Sequence, residues 1–151
     1  MTPRRTAGRC ENGSAIVELT WLGLLLMAPL VYVMVAVFTV QRSAYGAAEA
    51  VRAAARAYVL SPDVATAHSR ALEAARLSME DQGLRLHAGD VAIHCEPAPD
   101  SCLTPGSSVE VVIAIDVSLP LAPDVLGRRS ASVSVSASHS ERYSAYRESG
   151  R

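Results

Sequence analysis

The sequence predicts an α+β protein: a long N-terminal helix that crosses a membrane and continues beyond it, a second helix, and a three-stranded antiparallel sheet. Three observations carry this expectation. Leu19 to Val40 is a run of 22 residues without a charge, about 33 Å as a helix against a bilayer core of ~30 Å. The stretch that follows holds eight alanines in positions 41–57, a composition with strong helix propensity. Beyond Gly83 the apolar spacing changes to a period of two, the pattern of half-buried strands.

Composition narrows the classes of function. With 151 residues the chain is of single-domain size. Its 14 basic residues are all Arg, and 15 acidic residues bring the net charge to -1. That balance lacks the basic excess of a nucleic-acid binder. The absence of Lys removes Schiff-base and P-loop chemistry, which need an amine.

The apolar run reads as a transmembrane helix over residues 14–40. Gly23 and Pro29 lie inside it, and both are tolerated in membrane helices. Arg4, Arg5 and Arg9 precede the run with only Glu11 opposing them. The positive-inside rule therefore keeps the N-terminus cytoplasmic and puts residues 41–151 outside. Arg42, Arg52 and Arg56 follow the run but are diluted by alanine and Glu49. The rival is a cleaved secretory signal, with small residues at Ala44, Gly46 and Ala47 as the cut site; its apolar region normally spans only ~7–15 residues. Cys10 precedes the run, which is the wrong order for a lipoprotein signal.

The junction is the most informative segment. It reads Gly13-Ser14-Ala15-Ile16-Val17-Glu18-Leu19, at the end of a short basic leader. A carboxylate at helix-centre depth in a bilayer costs about 2.5–3.5 kcal/mol, less near the interface, so Glu18 is a functional candidate that needs a partner. This arrangement resembles the class III signal of type IV pilin-like proteins. Within that superfamily the chain is similar to the TadE-like minor pseudopilins of tight-adherence (Tad/Flp) pilus systems. The junction, the Ala-rich continuation from Ala44 to Tyr58, and the tail from Ser130 to Glu148 with His139-Ser140-Glu141-Arg142 and Tyr146-Arg147-Glu148 carry the likeness. It is specific over residues 8–58 and loose beyond. Ser14 stands where ordinary type IV pilins have Phe. Leu19 stands where major Flp pilins have Tyr, and those major pilins are much shorter; both points favour a minor component.

The resemblance implies a pilin-like fold and a prepilin peptidase that cuts between Gly13 and Ser14, leaving the apolar helix in place. Residues 1–13 would then be a cytoplasmic leader, and Glu18 the fifth residue of the mature chain. A new α-amine on Ser14 and the Glu18 carboxylate of a neighbouring subunit would pair as helices pack side by side, fixing axial register. Other implied partners are further pseudopilins and a membrane platform driven by a cytoplasmic ATPase that does not touch this chain. The place would be the cytoplasmic membrane, single-pass, with incorporation into a pilus. No catalytic residue and no cofactor are expected. The alternative is a signal-anchored or secreted binding module unrelated to pili.

The remaining elements follow in order. Residues 41–60 extend the first helix outside the membrane, and residues 61–151 form the head. A second helix is expected from about Pro62 to Gln82, with Ser61 as N-cap, Pro62 at the first helical position and Gly83 as its stop. Val64, Ala67, Ala71, Leu72, Ala75 and Met79 form its apolar stripe. Three strands follow, marked by Val91, Ile93 and Cys95; by Val109, Val111, Ile113, Ile115 and Val117; and by Val133, Val135 and Ala137 among serines. The connections run from Pro97 to Ser107 and from Leu119 to Arg129. Cys95 and Cys102 read as a disulfide in an oxidising compartment, while Cys10 leaves with the leader. His87, His94, Cys95 and Cys102 carry zinc-capable atoms, but their spacing matches no zinc knuckle, and no metal is expected. There is no nucleophile elbow; His68 and His139 read as structural or exposed. Glu110 and Asp116 share a strand face but lie about 20 Å apart, too far for paired-carboxylate chemistry.

Overall fold

A computed structural model describes residues 12–120 and 132–144 of the chain. The leader arginines, Cys10, most of the connection from Leu119 to Arg129, and the tail motif Tyr146-Arg147-Glu148 lie outside the described residues. The order of elements is α1 (Asn12–Val59), α2 (Val64–Asp81), β1 (Val91–Glu96), β2 (Ser108–Ser118) and β3 (Ser132–Arg142). The three strands form one antiparallel sheet in the order β1-β2-β3. This is the predicted layout.

Helix α1 is continuous over 48 residues, with Pro29 inside it, about 72 Å at ~1.5 Å per residue. Its first half is bare: Leu19, Trp21, Leu25 and Phe38 are each more than 60% exposed. It is long and apolar enough to cross a membrane. Thr20 and Thr39 donate their hydroxyls to the carbonyls of Ile16 and Val35, each at 2.8 Å, so neither presents an unpaired hydroxyl hydrogen to lipid. From Ser43 onward the same helix becomes the centre of the head. Ala47, Ala50, Val51, Ala54, Ala55 and Tyr58 are buried, packed among α2, β2 and β3.

Small side chains explain how closely α2 lies on α1. Ala67, Ala71 and Ala75 are fully buried, one per helical turn, with Met79 completing the row. Val64, expected on this stripe, is instead 42% exposed, and Leu72 is half-buried. The cap also differs from expectation. Asp63, not Ser61, begins α2: its backbone is extended and its carboxylate accepts the Thr66 N–H at 2.9 Å and the Thr66 hydroxyl at 2.8 Å. Ser61 is buried and donates its hydroxyl to the Ala57 carbonyl at 2.8 Å, closing α1 instead. Pro62 sits between them in the turn, where a missing N–H interrupts no helix.

The bonds from the Thr66 N–H and then from its hydroxyl hold the Asp63 carboxyl below the usual carboxylate range. This contribution to stability is fully present once the unfolded chain's Asp63 would ionise. It is lost as pH falls through the lowered folded-state value.

The end of α2 is a Schellman turn. Gly83 has φ +68, its N–H bonds the Glu80 carbonyl at 2.7 Å, and the Leu84 N–H bonds that of Met79 at 2.9 Å. A Cβ at Gly46 would meet Gln82 Cγ at 3.2 Å and Leu84 Cδ1 at 3.3 Å, so glycine there lets this turn seat against α1. The Arg42 guanidinium donates to the Gln82 carbonyl on the same side.

The sheet turns its apolar face to the helices. Val109, Val111, Ile113 and Val117 of β2 are buried, while Glu110, Ala114, Asp116 and Ser118 face outward. On β3, Val135 is buried and the serines at 132, 134, 136, 138 and 140 are exposed. β2 runs toward the bare part of α1, since Leu119 and Val133 line a groove with Ala36, Val37 and Val40. The opposite end of the sheet carries the β1–β2 loop.

The tight alanine row predicts that Ala71→Leu destabilises the head by about 1–3 kcal/mol, the usual cost of overpacking a filled core. Leu77→Ala, at a position 58% exposed, should be nearly silent. Denaturant unfolding of both variants in detergent micelles, followed by circular dichroism, checks this.

Candidate functional site

The predicted processing and register residues stand at the start of α1. Gly13 and Ser14 fall in its first turns, where the leading backbone N–H groups of a helix have no intrahelical acceptors. Glu18 is one turn further on and exposed. Its neighbours Ile16, Val17, Leu19 and Leu22 are all more than half exposed apolar side chains. Among the described residues Glu18 has no ion-pair partner.

At the far end of the head, Cys95 and Cys102 form the expected disulfide, with Cα atoms 5.0 Å apart. It joins the end of β1 to the loop before β2. Ser107, buried at 1% exposure, tightens this loop. Its hydroxyl hydrogen is shared between the carbonyls of Cys102 at 2.7 Å and Thr104 at 2.8 Å. Its carbonyl accepts the Tyr143 N–H at 2.9 Å, tying the loop to the end of β3. Ser107 escaped the sequence reading because its partners are set by the loop's shape, not by a motif.

The residues weighed as a zinc set do not meet. Both cysteines are in the disulfide, His94 is exposed on the alternate face of β1, and the His87 side chain is 82% exposed. Among the described residues no group of three or more His, Cys, Asp or Glu converges. Glu110 and Asp116 both lie on the outer sheet face, and Asp116 accepts the Ser134 hydroxyl at 2.7 Å.

Two further clusters were not legible beforehand. Tyr58 is fully buried, its ring meeting that of His68 edge-on with centroids 5.3 Å apart. Its hydroxyl has no hydrogen-bond partner among the described residues, and burial pushes its pKa up. A shallow groove beside it brings together Glu49, Arg52 and Arg56 of α1 with His139 and Glu141 of β3. Arg52 pairs with Glu49 at 3.1 Å, both exposed, and His139 with Glu141 at 3.3 Å, both half-buried. Arg52 and Arg56 share a helix face, as their i,i+4 spacing dictates. These are solvated pairs, each worth little in stability.

Compared with protein families, curated proteins and solved structures, the chain finds no match. The functional reading therefore rests on the chain's own residues and geometry.

The disulfide closes a short loop. Replacing both Cys95 and Cys102 by Ala should cost about 2 kcal/mol through added freedom of the unfolded chain. Alkylation followed by intact-mass measurement reads the same bond. Without reduction, a chain that retains Cys10 should take up one adduct and a chain that has lost its leader none; reduction should add two in either case.

Proposed function

We propose that the chain is a minor pseudopilin-like subunit of a Tad/Flp-type pilus assembly system, related in plan to type IV pili and type II secretion. In this reading the leader is removed at Gly13–Ser14 by a prepilin peptidase. The mature helix stays in the cytoplasmic membrane with its N-terminus inside and its head outside. It then moves laterally into a bundle of like helices. The chain acts by assembly, not by catalysis; its partners are the peptidase, other pseudopilins and the platform proteins.

One observation carries the reading: a Gly-Ser junction and a Glu18 without an ion-pair partner among the described residues open a single helix that is bare and apolar at first and becomes the core of a head later. A cleavable secretory signal serves only targeting and has no use for a carboxylate at its apolar start. The rival cut at residues 44–47 would fall where Ser43, Gly46 and Ala47 are buried in the head. The leader arginines Arg4, Arg5 and Arg9 support the orientation.

In a bundle of such helices Glu18 sits in a low-dielectric groove, where its partner is the α-amine that cleavage creates on Ser14 of a neighbour. Axial slippage would leave both charges unpaired, at a cost of several kcal/mol for a buried pair broken on one side.

Intact mass and N-terminal sequencing of protein purified from its own membranes test the processing step. The expected start is Ser14. A start between residues 45 and 50 overturns the proposal in favour of a secreted head, and an uncut chain favours a signal-anchored binding module. Glu18→Ala should leave insertion and cleavage intact and abolish incorporation into sheared surface fibres; unchanged incorporation contradicts the register role.

A further inference from the structure

We propose that, before assembly, the end of the head nearest the span rests within the phospholipid headgroup layer, docked there by Leu119, Val133, Leu84 and Arg42. The inference rests on the membrane-spanning reading of α1. If the hydrocarbon core begins at Leu19, about 20 residues at ~1.5 Å each bring its outer boundary near Phe38. The headgroup layer, ~5–7 Å deep on each side, then takes roughly the next four residues, Thr39 to Arg42.

Two grooves on the head open at this level. One, of about 270 Å³, is lined by Ala36, Val37, Val40 and Gln41 of α1 with Leu119 and Val133 of the sheet. The other, of about 400 Å³, sets Phe38, Thr39 and Arg42 beside Gln82, Gly83 and Leu84. The head thus begins at the depth where the span ends, with no stalk of bare helix between. Val133 is 38% exposed although it lies on the sheet's apolar face, and Leu84 and Leu119 are half-buried.

The occupant follows from continuity and chemistry. The apolar walls of both grooves are extensions of the lipid-facing helix surface, so the acyl chains that cover Val35 and Val37 reach the grooves without a break. Arg42 stands at phosphate depth. One guanidinium N–H is directed to the Gln82 carbonyl, and the group keeps further donors for lipid phosphate. Trp21, 69% exposed, lies two residues inside the boundary set at Leu19, where an amphipathic ring sits near an interface. Tilting the helix carries the head further into the layer. The disulfide loop, at the other end of the sheet, is held clear of lipid.

The test uses the full chain with Cys10→Ser, its disulfide intact, reconstituted in phosphatidylcholine–phosphatidylglycerol vesicles. An environment-sensitive fluorophore is attached through one added cysteine at Leu119, Val133, Val31 or Asp100. The vesicles contain lipid spin-labelled near the top of the acyl chain. The expected result is loss of emission at Leu119 and Val133 comparable to that at Val31, with Asp100 unaffected. Quenching at Val31 with Leu119 and Val133 as bright as Asp100 overturns the inference and leaves the span standing. Emission at Leu119 or Val133 that ignores the lipid label but changes with protein density assigns the grooves to a second copy of the chain and also overturns it. If Val31 itself is unquenched, the spanning reading fails and this inference falls with it.

Discussion

One helix carries both a bare apolar surface long enough to cross a membrane and the centre of the head, and the rest of the structure depends on how α1 combines them. Its backbone hydrogen bonds are internal, so the same geometry serves in lipid and in a protein core. What changes along it is side-chain size and shape. Up to about Val40 the surface is bulky and apolar in every direction, suited to acyl chains and to other helices. From Ser43 the small residues Gly46, Ala47, Ala50, Ala54 and Ala55 let neighbours approach closely, and only Val51, Tyr58 and Val59 add bulk. The alanine row of α2 packs along this surface, and β2 and β3 cover the rest. Remove α1 and neither α2 nor the sheet has a surface to bury its apolar face against.

The functional proposal is an extension of this constraint. A rod that is continuous from Glu18 to Tyr58 transmits its axial position directly to the head. Register chosen by one charge pair at the inner end of the span would therefore set the height of every head in an assembly. The proposed seating of the grooves around Ala36 to Ser43 in the headgroup layer fits the same logic, because a head that began where the lipid ends would have no lever arm over which to wander.

Local chemistry was legible in the sequence, and long-range chemistry was not. The bare run from Leu19 to Val40, the stop at Gly83, the alternation of β2 and the pairing of Cys95 with Cys102 each depend on neighbours in the chain or on compartment. Ser61 is the cap that the sequence suggests, yet Asp63, on the other side of the same proline, takes that place. What decided it is that Ser61 is drawn into the core to close α1, which no local rule encodes. Periodicity alone puts Val64 on the apolar stripe, yet at the first turn of α2 it is 42% exposed. Tyr58, Ser107 and the groove of Arg52, Arg56, His139 and Glu141 draw on residues far apart in sequence. Glu18 is the reverse case: the sequence singled it out, whereas among the described residues the folded chain provides no partner that explains it.

The continuity of α1 across the level of Arg42 is the claim on which the rest stands. It is tested most directly by the distance between spin labels at Val33 and Arg56, measured by pulsed electron paramagnetic resonance in lipid nanodiscs, with Cys10 replaced by Ser and the disulfide intact. The two positions are 23 residues apart, so an unbroken helix predicts a single narrow distribution near ~35 Å. A broad or markedly shorter distribution would place a hinge between span and head and would contradict the account.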